Sequence, residues 1–252
     1  MKKYFFFDID RTLAVGITKQ VPEDTKACLK KLRAAGHFVS IASGRLQSDV
    51  AAFAHTLDIT SFVADGGNSL TIDNKLLDMT GLPKENCLLL IKELERCCLP
   101  WAVIYENANR LHTPYAGFTE PERATYFEVK LGPVDFTAVK QIYKMLVYRP
   151  VLNGPQPNWQ SLPLIPYFGN TYLIEPVDKG AGIRRCMETL RAPLKDVVVF
   201  GDGFNDLQMF SPDWFSIAMG NAREPLKEKA DYITDDCDKG GILKACQKFG
   251  WL

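Results

Sequence analysis

The stretch Tyr4-Phe5-Phe6-Phe7-Asp8-Ile9-Asp10-Arg11-Thr12-Leu13 decides the fold. Tyr4 to Ile9 reads as an apolar and aromatic run ending in polar residues, as a strand buried in a parallel sheet does. Asp8 and Asp10 are two apart at its carboxyl end and are expected to face the same way. Ligands of open α/β sheets sit just outside that end. The pair also has a plainer reading, in which one Asp caps the following turn and the other is solvated.

The neighbouring segments support a sheet. Pro22 lies near the first turn of a helix opened by Val21-Pro22-Glu23-Asp24, with apolar Ala27, Leu29, Leu32 and Ala35 and a stop at Gly36. Phe38 to Ala42 reads as a strand, Leu46 to Leu57 as a helix, and Ser61 to Ala64 as a third strand. This alternation implies parallel strands with right-handed crossovers. The last third repeats the style. Lys179 to Leu190 reads as a helix, Asp196 to Phe200 as a strand, Asn205 to Phe210 as a short helix and Phe215 to Met219 as a strand. Pro225 to Ala230 follows as a helix and Tyr232 to Thr234 as a strand, with Gly241 to Phe249 closing the chain.

The middle differs. Leu70 to Ile72 and Lys75 to Met79 flank Asp73-Asn74 as a hairpin. Beyond it, Pro83 to Cys98 reads as a helix, and Trp101 to Glu106, Arg110 to Thr113 and Tyr126 to Leu131 as strands. Phe136 to Leu146 reads as a helix and Tyr148 to Leu152 as a strand. Asn153 to Pro166 reads as a loop, and Leu164 to Phe168 and Tyr172 to Ile174 as paired strands. Consecutive strands argue for an antiparallel α+β region. The expected organisation is therefore an α/β domain made from both ends of the chain, residues 1–80 and 177–252, with a second domain, 81–176, inserted.

Lysine plus arginine number 30, as do aspartate plus glutamate, so the formal net charge is zero. That balance argues against a nucleic-acid or other polyanion partner. No apolar stretch reaches the roughly 18 residues of a membrane span. Asp8 also cuts the N-terminal apolar run too short for a secretory signal. The expected compartment is cytoplasmic. The seven cysteines are scattered, which favours reduced, mostly buried thiols over a zinc site.

Four signals carry chemistry, and each lies at a strand end or helix start. Besides Asp8 and Asp10, Gly201-Asp202-Gly203-Phe204-Asn205-Asp206 adds two acids after a buried strand. Four converging acids repel one another unless a cation is present, and oxygen-only ligation points to Mg2+. Asp202 alone is also explained as an N-cap of the Asn205 helix. Ser43, in Ser43-Gly44-Arg45, offers a hydroxyl beside amides that suit a phosphate oxygen, or is an ordinary N-cap. Lys179, in Asp178-Lys179-Gly180, stands against the helix dipole. Its plainer reading is a solvated lysine.

Taken in order, DxDxT at Asp8 to Thr12, SGR at Ser43 to Arg45, DKG at Asp178 to Gly180 and GDGxND at Gly201 to Asp206 resemble the haloacid dehalogenase-like superfamily. Within it the chain looks like the Cof-type phosphatases. The resemblance implies a Rossmann-like parallel sheet core with an inserted α+β cap of the C2 type, the IIB kind, because the long interval falls between Ser43 and Lys179. It implies a Mg2+-dependent hydrolase of phosphate monoesters acting through an aspartyl phosphate. Asp8 is then the nucleophile and Asp10 the general acid and base. Metal ligands are Asp8, the backbone carbonyl of Asp10, and Asp202, with Asp206 orienting the metal shell from outside. Ser43, Lys179 and Asn205, with the amides of Ile9 and Gly44, hold the transferring oxygens, and Arg45 is a candidate substrate contact.

The implied partner is a small phosphorylated metabolite: a sugar phosphate, a nucleotide or pyridoxal phosphate. The chain is expected to be a monomer or small homo-oligomer. The cap is expected to close over the site, with Tyr105, Glu106, His112, Tyr115 and Trp159 as either lining, cap core or surface. A phosphotransferase or mutase acting on sugar phosphates is the alternative, and a receiver-like signalling domain a remote one. The chain departs from the family pattern in two places. Arg11 stands where glycine is usual, and the segment Glu175 to Lys179 is shorter than the usual run.

Overall fold

The computed structural model describes residues 1–16, 18, 20–119 and 126–252. In chain order the first elements are β1 (Tyr4–Phe7), α1 (Glu23–Ala34), β2 (Phe38–Ala42), α2 (Gln47–His55), β3 (Phe62–Ala64), β4 (Ser69–Ile72) and β5 (Lys75–Met79). Next come α3 (Lys84–Arg96), β6 (Trp101–Ile104), β7 (Arg110–Thr113), β8 (Glu128–Leu131), β9 (Lys144–Tyr148), β10 (Leu164–Tyr167) and β11 (Thr171–Ile174). The chain ends with α4 (Lys179–Thr189), β12 (Val197–Gly201), β13 (Phe215–Ala218), α5 (Glu224–Lys229), β14 (Tyr232–Ile233) and α6 (Gly241–Lys248).

The chain divides into two compact units: Met1–Met79 with Val177–Leu252, and Thr80–Pro176. The first holds an eight-stranded sheet in the order β14-β13-β12-β1-β2-β3-β4-β5. From β14 to β3 every pairing is parallel, and β3-β4-β5 is antiparallel. Phe5, Phe6 and Phe7 are fully buried, because β1 lies between two strands and its sheet is covered on both faces. The α1 helix carries Glu23 and Asp24 in its first turn and Lys31 and Arg33 in its last, in the sense its dipole favours. Its inner face is Cys28, Leu29 and Leu32. Asp73 and Asn74 both have positive φ in the β4–β5 turn, as the tightest hairpins require.

The second unit holds a six-stranded sheet in the order β10-β11-β9-β6-β7-β8, with its own core of Leu90, Leu94, Trp101, Val103, Met145 and Val147. Here the structure corrects three sequence expectations, the first being the strand placed at Tyr148 to Leu152: the strand β9 lies earlier and ends at Tyr148. No helix spans 136–146; a turn at 136–138 leads instead to β9, which pairs with both β11 and β6. Phe136, Val139 and Ile142 have a helical spacing, but Met145 to Val147 are buried consecutively, as in a strand covered on both faces. The sheet is also not wholly antiparallel, since β7 and β8 pair in parallel. The long connection between them permits that crossover.

All seven cysteines are free, and Cys98 alone among them is exposed. Among the described residues no helix is long and apolar enough to cross a membrane.

Candidate active site

Three loops meet at the carboxyl ends of the adjacent parallel strands β12, β1 and β2. Asp8 follows β1, and its N–H still bonds the Phe200 carbonyl, so its position is an extension of the sheet ladder. The chain then turns sharply. Thr12 and Ala14 donate to the Ile9 carbonyl and Arg11 donates to Gly16. Arg11 has φ of 61° there, a left-handed conformation that explains why glycine is at home in this place.

Asp8, Asp202 and Asp206 bring their carboxylate oxygens within 4.8 Å of one another, and all three are buried. The Lys179 ammonium donates to Asp8 and Asp206 at 2.6 Å each, and its side chain is 1% exposed. The solvated-lysine reading is therefore excluded. Lys179 opens α4, and Asp178 caps that helix by accepting from the Ala181 amide at 2.8 Å. Gly67, at φ of 107°, lets the chain pass against this cap, because a Cβ there would collide with the Asp178 carbonyl.

Asp206 does two jobs. One oxygen takes Lys179, and the other accepts the amides of Asp202 and Gly203, both at 2.9 Å. The N-cap reading of Asp202 is corrected accordingly: the residue that caps the short turn Phe204–Asp206 is Asp206. The expected Asn205 helix is only that turn. Asn205 is exposed on it.

Burial, with Asp206 and Asp10 nearby, holds the Asp8 carboxyl well above the usual carboxylate range, against the pull of Lys179. Burial and Asp206 push Asp202 up to about 7, against Lys179 and Arg11. Burial disfavours the charge on Lys179, but Asp206 and Asp8 outweigh it and hold the ammonium above the ordinary lysine value. One buried cation thus stands among three buried acids and bonds two of them, Asp8 and Asp206.

Asp10 stands apart from this group. Its carboxylate is gripped by Arg45, whose Nε donates to Oδ2 at 3.1 Å and whose Nη2 donates to Oδ1 at 2.5 Å. Asp8 and Asp10 therefore meet different partners, since the chain leaves the strand at Phe7 and the two-residue period no longer applies. Ser43 is buried, and its Oγ accepts the Arg45 amide at 3.2 Å. Its N-cap reading is corrected, because α2 begins only at Gln47, whose amide is taken by Asp65 at 3.1 Å. Gly44 and Ile9 flank these groups, half-buried and buried respectively. Sequence reasoning gave no role to Asp49, Asp65 or Gly67. An Asp-Gly-Gly turn after a buried strand is the one visible signal for the latter two.

In the second unit the Tyr105 hydroxyl lies 3.0 Å from His112 Nδ1, and Glu106 pairs with Arg110 at 2.6 Å. Tyr115 packs edge-on against Trp101, and Trp159 against Tyr172.

The chain matches the family described as haloacid dehalogenase-like hydrolase over residues 5–149 and 173–246. It is 29% identical over 264 residues to a Bacillus subtilis protein named "Putative phosphatase YkrA", covering 99% of this chain and 98% of that protein. Among solved structures, a hypothetical protein from Geobacillus kaustophilus superposes with a TM-score of 0.88 at 26% identity, covering 100% of both chains. The subclass IIB sugar phosphatase BT4131 does so with a TM-score of 0.78 at 23% identity, again over 100% of both, and shows the shared fold.

Proposed function

The chain belongs to the haloacid dehalogenase-like hydrolase family, and from that premise we propose that it is a phosphatase of small phosphate monoesters that works through a phosphorylated Asp8. The observation that carries this reading is the buried Lys179 ammonium held between Asp8 and Asp206, beside Asp202, at the carboxyl edge of the sheet.

The donor set suits Mg2+. It is all carboxylate, and one ammonium leaves it with an excess of negative charge. Asp8 Oδ2 and the Asp202 carboxylate would hold the ion, together with the Asp10 carbonyl. Asp206 is occupied by Lys179 and two amides, and would steady the ligands from outside. When bound, Mg2+ supplies charge that keeps Asp8 ionised and offsets the charge of the phosphoryl oxygens.

Asp8 attacks phosphorus, the bond to the leaving oxygen breaks, and the proton of Asp10 passes to that oxygen. Asp10 then takes a proton from water as the water oxygen attacks phosphorus and the bond to Asp8 breaks. Lys179 and the Ser43 hydroxyl, with the amides of Ile9 and Gly44 and the Asn205 carboxamide, stabilise the oxygens in flight, where a loose transition state gains most. The preference for a phosphorylated metabolite rather than a polymer agrees with the zero net charge. Residues 81–176 act as the family's C2-type cap in this reading and select the leaving group.

Phosphate release from a panel of sugar phosphates, nucleotides and pyridoxal phosphate, with Mg2+ and with chelator, tests it. Release is expected with Mg2+ only, and Asp8→Asn is expected to abolish it while leaving the circular dichroism spectrum unchanged. An isomerised sugar phosphate in place of inorganic phosphate would overturn hydrolysis.

A further inference from the structure

Arg45 is a buried guanidinium shared between two carboxylates. It grips Asp10 through two nitrogens, and its third, Nη1, donates to Asp49 Oδ2 at 3.3 Å. The side chains of Arg45 and Asp49 are 8% and 7% exposed, whereas that of Asp10 is 35% exposed. Asp10 is therefore the solvent-facing end of the chain of charges, and Asp49 the anchored end.

The anchor is built from the backbone up. Asp49 lies in the first turn of α2, where acids are favoured, and its amide bonds the Leu46 carbonyl. The Arg45 amide is held by Ser43 Oγ, and the Arg45 carbonyl accepts from the Asp65 amide at 2.9 Å. Asp65 also caps Gln47, so one buried residue fixes both the loop and the helix that carries Asp49. The guanidinium further lies over the Phe53 ring, 5.8 Å from its centroid.

We propose that Asp49 and Arg45 form a positioning pair for Asp10: Asp49 fixes the guanidinium, and the guanidinium's planar fork fixes the carboxyl that protonates the leaving group. The inference rests on the phosphatase reading above. A two-point fork determines the plane of a carboxyl as well as its place, which a lysine cannot do. General acid catalysis depends on that placement, because the donor must lie within hydrogen-bond reach of the departing oxygen.

The test uses leaving groups. An alkyl phosphate such as glycerol 3-phosphate needs its alkoxide protonated, whereas p-nitrophenyl phosphate leaves as a stabilised phenolate. The change that a variant makes in the ratio of kcat/KM for the two esters reports leaving-group protonation, since kcat/KM ends at leaving-group departure and the phosphoryl contacts are common to both esters. Arg45→Lys, Asp49→Asn and Asp49→Ala are each expected to lower kcat/KM for the alkyl ester about tenfold or more, a part of the 100-fold or greater contribution of a general acid. The ratio between the esters should fall at least fivefold. Asp49→Glu should recover part of it. Equal losses on both esters, or no loss on either, would overturn the positioning role. Failure of the native enzyme to release phosphate from these esters and from every member of the sugar phosphate, nucleotide and pyridoxal phosphate panel would instead overturn the phosphatase reading, so the two failures are separable.

Discussion

The Lys179 ammonium lies 2.6 Å from an oxygen of Asp206, and neither side chain is more than 1% exposed. The other oxygen of Asp206 holds the amides of the Asp202 loop. A single carboxylate thus ties the lysine to the loop that follows β12, and charge and backbone geometry depend on each other.

Lys179→Met is expected to lower kcat by about 100- to 1000-fold, the usual effect of removing one donor to a developing charge. It also leaves three buried acids without their cation. In Mg2+-free buffer at pH 8 the variant should lose about 3–5 kcal/mol of stability, the range for breaking a buried pair from one side. Urea unfolding measures this, and a variant as stable as the native protein would refute the shared-cation account.

Stability without metal should fall as pH rises. Asp202 is pushed up to about 7 in the folded protein, and Asp8 moves in the same direction, both through burial first. The folded state then binds these protons more tightly than the unfolded state does. Their stabilising effect is complete below the unfolded carboxylate value and is lost as pH rises toward 7 and beyond. For Asp202 the loss is at most about 4 kcal/mol, at roughly 1.4 kcal/mol per pKa unit. Chemical denaturation in chelator between pH 5 and 8 should show the decline, and added Mg2+ should flatten it. A rise over that interval would contradict the buried cluster.

Arg11 holds a backbone conformation that costs an ordinary residue about 1–2 kcal/mol. Its carbonyl also accepts from Asn221 Nδ2 at 2.9 Å, which keeps the turn in place. Arg11→Gly is expected to keep or slightly raise the melting temperature, because relief of strain offsets the added freedom of the unfolded chain. Arg11→Val should lower stability by about 1–3 kcal/mol, since a branched side chain tolerates this region poorly. Differential scanning calorimetry distinguishes the two, and equal effects would remove the backbone argument.

What was legible in the sequence follows from range. The run Tyr4 to Phe7 announces a buried strand because its apolar character needs no distant partner to be seen. The motifs at Asp8, Ser43, Lys179 and Asp202 stand at element ends for the same local reason. Partner choice was not legible. Nothing near Asp10 says that its carboxylate meets Arg45 rather than joining Asp8, and nothing near Asp206 says that it caps its own turn while holding Lys179. The segment 136–146 misled because Phe136, Val139 and Ile142 repeat like one face of a helix. The central position of β9, which demands apolar residues on both faces, is a property of the sheet and not of the segment.

The pairing of β1 with β12 sets Tyr4 opposite Val197. On a ribosome the first strand must therefore wait for about 190 further residues before it gains that neighbour. Until then Phe5 to Phe7 have an open edge, and Asp8 has neither Lys179 nor Asp202 beside it. A chain cut short before Val197 contains neither Asp202 nor Asp206, so the acid cluster around Lys179 is not assembled, and its aromatic edge is a ready target for a chaperone.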